Sequence, residues 1–168
     1  AVGYNDSRLD VGQWQDVVSI ETGFFHTLGI TADGKVYSAG GRGVSGSDNV
    51  QVCGAYDFTV AIKSNGTVEL VGSENSTKCN VSGWKDMVSI CAGAFNILGL
   101  KEDGTVVLTG QNQNGQDAVE NWKDIVSISA GGHLVSHAVG LKSDGTVLTT
   151  GSNRDGACNV EKWTDIIA

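Results

Sequence analysis

Proline is absent from this chain of 168 residues, and long apolar runs are absent as well. At average usage, a chain of this length would contain about 8 prolines. Their absence excludes a collagen-like chain, a proline-rich linker and a PxxP ligand. The longest apolar runs span only a few residues, so the sequence predicts no insertion into a membrane.

Basic residues are also scarce. The chain has 11 Lys and Arg against 19 Asp and Glu, which gives a formal net charge of −8. Such a surface repels phosphate backbones and anionic lipids, so we expect no direct binding to nucleic acid. The charge fits a soluble surface in general, and it would also suit a basic partner. With 40% hydrophobic and 18% charged residues, the composition is that of a folded domain.

Glycine, with 24 residues, is about twice as frequent as average, and four glycines mark an internal repeat. Gly34, Gly66, Gly104 and Gly145 each follow Asp or Asn, and they lie 32, 38 and 41 residues apart. The chain therefore contains four repeats of about 40 residues. A second element recurs with tryptophan and, two residues later, aspartate, in the pairs Trp14 and Asp16, Trp84 and Asp86, Trp122 and Asp124, and Trp163 and Asp165.

Each repeat has the pattern of short β-strands joined by hairpins. The Asp-Gly and Asn-Gly dipeptides are typical of type I′ hairpin turns. Leu98 and Leu100 before the turn at Gly104, and Val106 and Leu108 after it, alternate with other residues as in a half-buried strand. One such sheet cannot bury its faces alone, so neighbouring sheets must stack. With three or four short strands in each repeat, the sequence predicts an all-β fold in which one small antiparallel sheet per repeat forms a blade of a β-propeller, with a β-helix as the alternative.

The repeated pattern resembles a known family. Its elements are W-x-D-[IM]-V-S-I-x-A-G, then G-L-K-x-D-G-T-V-x-x-T-G, then C-N-V-x-x-W. They resemble the regulator of chromosome condensation repeat, in its short bacterial version. The repeat length is similar to that of the propeller-type inhibitor of β-lactamases, whose rim loops bind the enzyme through aromatic residues. The resemblance implies a β-propeller of four-stranded antiparallel blades and a protein partner.

We expect a single repeat domain over residues 1–168. The ends match parts of a repeat, which predicts either a stretch of a longer propeller or a half-ring that closes with a second copy. Open blade edges predict self-association as a homodimer or a larger assembly. The expected divisions are a trailing blade part at 1–16, repeats at 17–49, 50–86, 87–124 and 125–165, and the start of a next blade at 166–168.

The recurring tryptophans and aspartates are interpreted as structural, because residues that are equivalent between repeats usually serve the fold. Each tryptophan is expected to cover the edge of a blade, and each aspartate to make a hydrogen bond in a turn. The four turn glycines belong to the same structural set.

The loops after the first strand of each repeat vary in sequence, and they carry the candidate partner-binding residues. Aromatic side chains on a rigid scaffold are typical anchors of protein interfaces. The alternative, that Phe25, Tyr56 and Phe95 seal the core between blades, stays open at this point. The candidates are Phe24, Phe25, Tyr56 and Phe95, followed by His26 and His133.

The sequence offers little for catalysis, metal binding or a cofactor. The four cysteines form no CxxC pair and are interpreted as buried free thiols. Ser136 and His137 are the only adjacent nucleophile and base, and no oxyanion-loop motif accompanies them. No phosphate-binding loop ends in Lys followed by Ser or Thr. We therefore expect no metal, no cofactor and no enzymatic activity.

These observations favour a non-catalytic scaffold that binds a protein of unknown identity through its rim loops. Two alternatives are a regulator of nucleotide exchange on a small GTPase and an enzyme with a site in the central channel. The short bacterial-type repeats favour a secreted or cell-surface bacterial location over the cytoplasm.

Overall fold

The chain folds into four small antiparallel sheets in a computed structural model that describes residues 10–41, 43–72, 79–131 and 137–167. Each sheet has three strands that follow one another in sequence and in space, and we call the sheets blades 1 to 4. The strands are β1 (Val17–Thr22), β2 (Thr27–Thr31) and β3 (Val36–Ala39) in blade 1, β4 (Asn49–Gly54), β5 (Phe58–Lys63) and β6 (Val68–Gly72) in blade 2, β7 (Met87–Ala92), β8 (Asn96–Lys101) and β9 (Val106–Gly110) in blade 3, and β10 (Ile125–Gly131), β11 (His137–Lys142) and β12 (Val147–Gly151) in blade 4.

Consecutive blades stack and bury three apolar cores. The first strands of the blades lie side by side, because β1 contacts β4, β4 contacts β7 and β7 contacts β10. Burial between sheets supplies the stability that a single three-stranded sheet lacks. The cores contain Leu28 and Val52 between blades 1 and 2, Phe58 and Ile90 between blades 2 and 3, and Leu98 and Ile125 between blades 3 and 4.

The prediction of an all-β propeller is confirmed, but the described sheets have three strands where four were predicted. The chain after the third strand is not extended in blades 3 and 4. After β9, Gly115 has a φ of 75° and a 3₁₀ turn follows at Gln116–Asn121. After β12, a second 3₁₀ turn covers Arg154–Gly156. The corresponding residues 73–78 of blade 2 lie outside the described part of the chain.

The described part of the chain shows no blade against the outer face of blade 1. Ile20, Val52 and Ile90 are equivalent by strand register. Ile20 is 68% exposed, whereas Val52 and Ile90 are 3% and 2% exposed. Self-association through this face stays a prediction. No helix among the described residues is long and apolar enough to cross a membrane.

The hairpin turns differ from the predicted type I′. In each turn only the glycine has a positive φ, between 76° and 82°. In blade 1, the Gly34 N–H donates to the Thr31 carbonyl over 2.9 Å, and the Thr31 N–H donates to the Lys35 carbonyl over 3.0 Å. This is a three-residue hairpin loop that ends in a left-handed glycine. The Asp-Gly dipeptide located the turns but did not define their length.

The side chain of the residue before the turn glycine accepts hydrogen bonds from the residue after that glycine. In blade 4, Asp144 Oδ1 accepts hydrogen bonds from the Thr146 hydroxyl over 2.6 Å and from its N–H over 3.0 Å. These bonds, chiefly that from the hydroxyl, lower the pKa of Asp144 to about 2. Asp103 with Thr105 and Asn65 with Thr67 repeat the arrangement.

Each turn glycine also joins its blade to the next. The Gly66 carbonyl in blade 2 accepts a hydrogen bond over 3.1 Å from the N–H of Met87, the first residue of blade 3. The preceding Asp86 carbonyl accepts one over 3.1 Å from Glu102 in the hairpin of its own blade. The same glycine bond forms from Asn49 to Gly34, from Ile125 to Gly104 and from Ile166 to Gly145.

At three of these four junctions, the donor residue directly follows an aspartate of the recurring Trp-x-Asp element. The aspartates of this element have φ values between 56° and 61°, in the left-handed region that Asp tolerates better than most residues. The bonds that the structure gives to Asp86 and Asp124 at these junctions run through the main-chain carbonyl, where a side-chain bond was expected.

Three tryptophans pack against a glycine in the second strand of their blade. Blade 2 lacks the tryptophan and has the fully buried Ala61 at the equivalent position. Trp163, at the end of the described chain, is 53% exposed. A Cβ atom would lie 2.8 Å from the Trp14 ring at Gly29, 2.7 Å from the Trp84 ring at Gly99 and 2.6 Å from the Trp122 ring at Gly140.

A β-bulge recurs near the start of each first strand. The extra residue has no partner in the ladder, so its side chain turns away from the core. The bulged residue is a valine that is 51% to 67% exposed in all four blades, namely Val18, Val50, Val88 and Val126.

The turn glycines should be needed for two reasons: their φ is positive, and a side chain would collide with the next blade. Two glycines with similar φ values allow a matched test. Gly34 and Gly83 have φ values of 82° and 80°. A Cβ atom at Gly34 would lie 2.6 Å from the Asn49 carbonyl oxygen, whereas one at Gly83 has no atom within 4 Å. We expect Gly83→Ala to lower the free energy of unfolding by about 1 kcal/mol, and Gly34→Ala by about 3 kcal/mol. Urea denaturation measures both, and equal losses would contradict the spatial requirement.

Candidate functional site

Three loops at one rim of the blades share the same backbone closure. They follow the first strands of blades 1 to 3 and, counted to the residue that closes them, cover residues 23–26, 55–58 and 93–96. We number the three positions after the first residue of each loop, so that the third position is His26, Phe58 or Asn96. In each, the N–H of the first loop residue donates to the carbonyl three residues later, over 2.8 to 3.0 Å. Equivalent positions are therefore Phe24, Tyr56 and Ala94, then Phe25, Asp57 and Phe95, then His26, Phe58 and Asn96.

Four aromatic side chains from these loops form one continuous surface, which we call the aromatic rim: Phe24, Phe25, Tyr56 and Phe95. Phe24 lies 4.8 Å from Phe25 and 4.9 Å from Tyr56, measured between ring centroids. Tyr56 lies 5.0 Å from Phe25 and 5.6 Å from Phe95. These separations are typical of favourable edge and tilted ring contacts.

The aromatic rim remains accessible to solvent. Phe24 is 55% exposed and Phe25 is 41% exposed. Tyr56 and Phe95 are half-buried. The alternative that Phe25 belongs to the core between blades therefore does not hold for this structure. The structure brings together four of the six predicted candidate residues.

The loops of blades 1 and 2 are fixed to each other through their backbones. The Phe24 N–H donates to the Ala55 carbonyl over 3.0 Å. A Cβ atom at Gly54 would lie 2.7 Å from the Gly23 nitrogen, so the two loops approach more closely than a larger residue permits. The backbone that carries these aromatic side chains is thus fixed by contacts between the two loops.

A depression of about 240 Å³ opens beside the aromatic rim. Phe24 and Tyr56 line it, and the rest of its lining consists mostly of glycine and alanine from the ends of all four first strands. The first strands of the blades come together at this point. Because the residues at their ends are small, they leave a depression there. Its aromatic lining makes it continuous with the aromatic rim.

His26 lies inside the protein and not on the rim, which corrects its assignment as a partner-binding residue. It is 3% exposed, and its Nε2 lies 3.0 Å from the hydroxyl of the buried Thr59. Gly23 and Gly41 leave no room around its ring, since a Cβ atom at either would lie within 2.6 Å of the His26 side chain. The third loop position is buried in each of the three loops, and this closure pattern could have revealed it.

The fourth blade differs at this point. By register, Ile128 pairs with Gly140 as Ile20 pairs with Gly29, so His137 occupies the position of His26. The sequence assigned this position to His133, which lies outside the described residues.

Burial shapes the titration of the groups near the rim. It lowers the pKa of His26, which keeps the imidazole neutral at neutral pH. It raises the pKa of Cys53 and of Cys79 to about 11, with smaller effects from the Glu21 and Asp57 carboxylates respectively. All four cysteines are free thiols. No three His, Cys, Asp or Glu side chains in the described ranges could hold a metal ion together.

The buried neutral imidazole predicts a pH-dependent stability. Because the unfolded chain binds a proton near pH 6.5 and folded His26 resists it, the folded state loses stability as pH falls below that value. His26→Asn places the residue of the equivalent position in blade 3 at this site. Between pH 7.5 and 5.5, we expect the unprotonated variant to lose less free energy of unfolding than the parent, by at most about 1.4 kcal/mol per pH unit. Urea denaturation at both pH values gives the difference, and identical pH dependence would contradict the assignment.

The sequence and the fold can now be set beside known proteins. The family model of the regulator of chromosome condensation (RCC1) repeat matches residues 17–46 and 87–116. Both matches begin at the first residue of a first strand, in blades 1 and 3. No curated protein matches the chain in sequence.

Solved structures of propellers are similar in fold. A structure of Kap60 bound to yeast RCC1 (Prp20) matches with 21% identity and a TM-score of 0.66, over 80% of this chain and 42% of that one. Prp20p from Saccharomyces cerevisiae matches with 20% identity and a TM-score of 0.64, over 80% and 43%. The CRINKLY WD40 ectodomain of the Arabidopsis thaliana receptor kinase ACR4 matches with 13% identity and a TM-score of 0.67, over 80% and 50%.

These similarities concern the fold, and the chain spans less than half the length of the two Prp20 structures. The two repeat matches start where blades 1 and 3 start, and blades 2 and 4 repeat the same junctions and turns. The family model thus identifies RCC1-type repeats in blades 1 and 3, and the fold of the chain is similar to that of the RCC1 (Prp20) structures.

Proposed function

We propose that the chain is a non-catalytic scaffold that binds a protein partner through the aromatic rim. The observation that carries the proposal is the continuous set of four aromatic rings, of which Phe24 and Phe25 are 55% and 41% exposed. Interfaces derive most of their binding energy from a few aromatic or arginine residues near their centre. Exposed apolar surface of this kind is typical of interaction sites.

The rigidity of the loops supports the same proposal. The backbone bond from Phe24 to Ala55 and the close approach of Gly23 and Gly54 hold the rings before any partner arrives. A preorganised surface loses less conformational entropy on binding than a mobile one.

The similar structures are consistent with a protein partner. One shows Kap60 bound to yeast RCC1 (Prp20), and the other is described with its binding to Gsp1p and histones. These partners belong to Prp20, which is only 20% to 21% identical to this chain. They support the class of partner, a protein, and not its identity.

The chemistry around the rim supports a role without catalysis. A nucleophilic cysteine needs a lowered pKa, whereas burial raises the pKa of Cys53 and Cys79 to about 11. His26 is enclosed and bonded to Thr59, so it does not reach the depression as a base.

A photo-crosslinking residue at the rim tests the proposal. Benzoyl-phenylalanine in place of Phe25 keeps an aromatic ring at the exposed position, and the same residue in place of Glu102 serves as the control on the opposite rim. We expect position 25 to crosslink to one saturable protein partner that position 102 does not capture. Equal capture at both positions would contradict a binding surface at the aromatic rim.

The partner identified in this way allows a quantitative test. Truncating central aromatic anchors typically costs 2 kcal/mol or more, so Phe25→Ala with Tyr56→Ala should weaken binding at least about 30-fold. The matched control is Val50→Ala with Val88→Ala, which removes apolar side chains that are 60% and 55% exposed near the opposite rim. Titration calorimetry measures the affinities, and unchanged binding by the aromatic variant would overturn the assignment of the surface.

A further inference from the structure

The depression beside the aromatic rim has the size and lining of a site for one side chain. Its volume of about 240 Å³ lies below the range that is typical for cofactors and drug-sized ligands. Phe24 and Tyr56 line it with ring centroids 4.9 Å apart and planes tilted by 35°. Among the described residues, the rest of its lining, from Thr22 to Gly131, offers no bulky group that would fill it.

The lysines of the described chain lie on one rim of the blades, together with the acidic residues of the hairpin turns and of the strand starts. The three loops at residues 23–26, 55–58 and 93–96 contain no lysine or arginine, and they include Asp57. Glu21 lies on β1, two residues before the first of these loops. The lysines in the described ranges flank the hairpin turns or precede the first strands, on the opposite rim; they are Lys35, Lys63, Lys85, Lys101, Lys123, Lys142 and Lys162.

A cation is therefore the complementary occupant. The faces of aromatic rings carry negative potential and attract ammonium and guanidinium groups. The acidic side chains on and beside these loops, Asp57 and Glu21, have the same sign as that potential, and the whole chain has a net charge of −8. An anionic side chain would meet repulsion from both sources.

The protein already contains one such contact at its other rim. Lys35 Nζ lies 4.3 Å from the centroid of the Tyr37 ring. In the depression, two rings rather than one are available, and no lysine of the described chain lies there to occupy them.

We propose that the depression beside the aromatic rim, which Phe24 and Tyr56 line on one side, receives a lysine or arginine side chain of the partner protein. The proposal rests on the proposed function, since it assigns the chemistry of the partner at the same rim. It makes this depression the specificity pocket of the aromatic rim, with the surrounding rings supplying apolar contact area.

Blocked single amino acids test the pocket without knowledge of the partner. The probes are the N-acetyl amides of arginine, lysine, leucine and glutamate, titrated into the protein while the aromatic ring signals of Phe24 and Tyr56 are followed by NMR. We expect saturable shifts with millimolar affinity for the arginine and lysine amides. Binding of the leucine and glutamate amides should be at least fivefold weaker.

Variants locate the binding. Phe24→Leu with Tyr56→Leu keeps apolar bulk but removes the rings, and we expect at least a fivefold loss of affinity for the arginine amide, followed on the Phe25 signals. Tyr37→Leu, which removes the ring beneath Lys35, is the control and should leave the affinity unchanged. A dispersed methyl spectrum establishes that each variant is folded.

The outcomes separate this proposal from the proposed function. Leucine amide binding as tightly as arginine amide, or no saturation by either basic probe, would overturn the cation site, even if position 25 crosslinks to a partner. Saturable binding of basic probes with no crosslinked partner at position 25 would leave the cation site in place and contradict the proposed scaffold function.

Discussion

In blades 2 to 4, the peptide group at the start of the first strand joins the blade to the preceding one, and the rest of the structure depends on it. In blade 3, the Asp86 carbonyl accepts a bond from the hairpin of its own blade, while the Met87 N–H donates to the turn glycine Gly66 of the preceding blade. The left-handed φ of 61° at Asp86 orients the chain for both bonds. Because the junction recurs between all four consecutive blades, it sets the register between the sheets and thereby the match of their apolar faces.

The register at the rim of the hairpin turns determines which loops lie side by side at the aromatic rim. The first strands are six or seven residues long in all four blades, so junctions aligned at the turn glycines bring the loops that follow those strands into line. The loops of blades 1 and 2 are then fastened again by the bond from Phe24 to Ala55. Rings that are 31 residues apart in sequence, such as Phe25 and Tyr56, therefore touch without any loop of unusual length.

The sequence predicted the blades, the turns and the aromatic content of the rim because each leaves a local pattern in residue type. It could not place His26, since whether the third loop position points outward depends on a backbone bond between residues three apart and on the space left by Gly23 and Gly41. The turn type was wrong for a similar reason, because the dipeptide Asp33-Gly34 does not reveal that the loop has three residues. The fourth strand was implied by the family resemblance, whereas in blade 3 the left-handed Gly115 and a 3₁₀ turn occupy the chain after the third strand.

Each loop has one buried position and two positions that contribute to the rim. This separation explains how the binding surface of such a scaffold can vary with little loss of fold stability. The third position, occupied by His26, Phe58 or Asn96, is buried and must suit the space between blades. The first two positions contribute side chains mainly to the rim, and they already differ between blades, with Phe24 equivalent to Tyr56. Since the backbone closure uses only main-chain groups, residues at these two positions can change without loss of a closing bond. The surface chemistry of the rim is thus set independently of the junctions that hold the blades together.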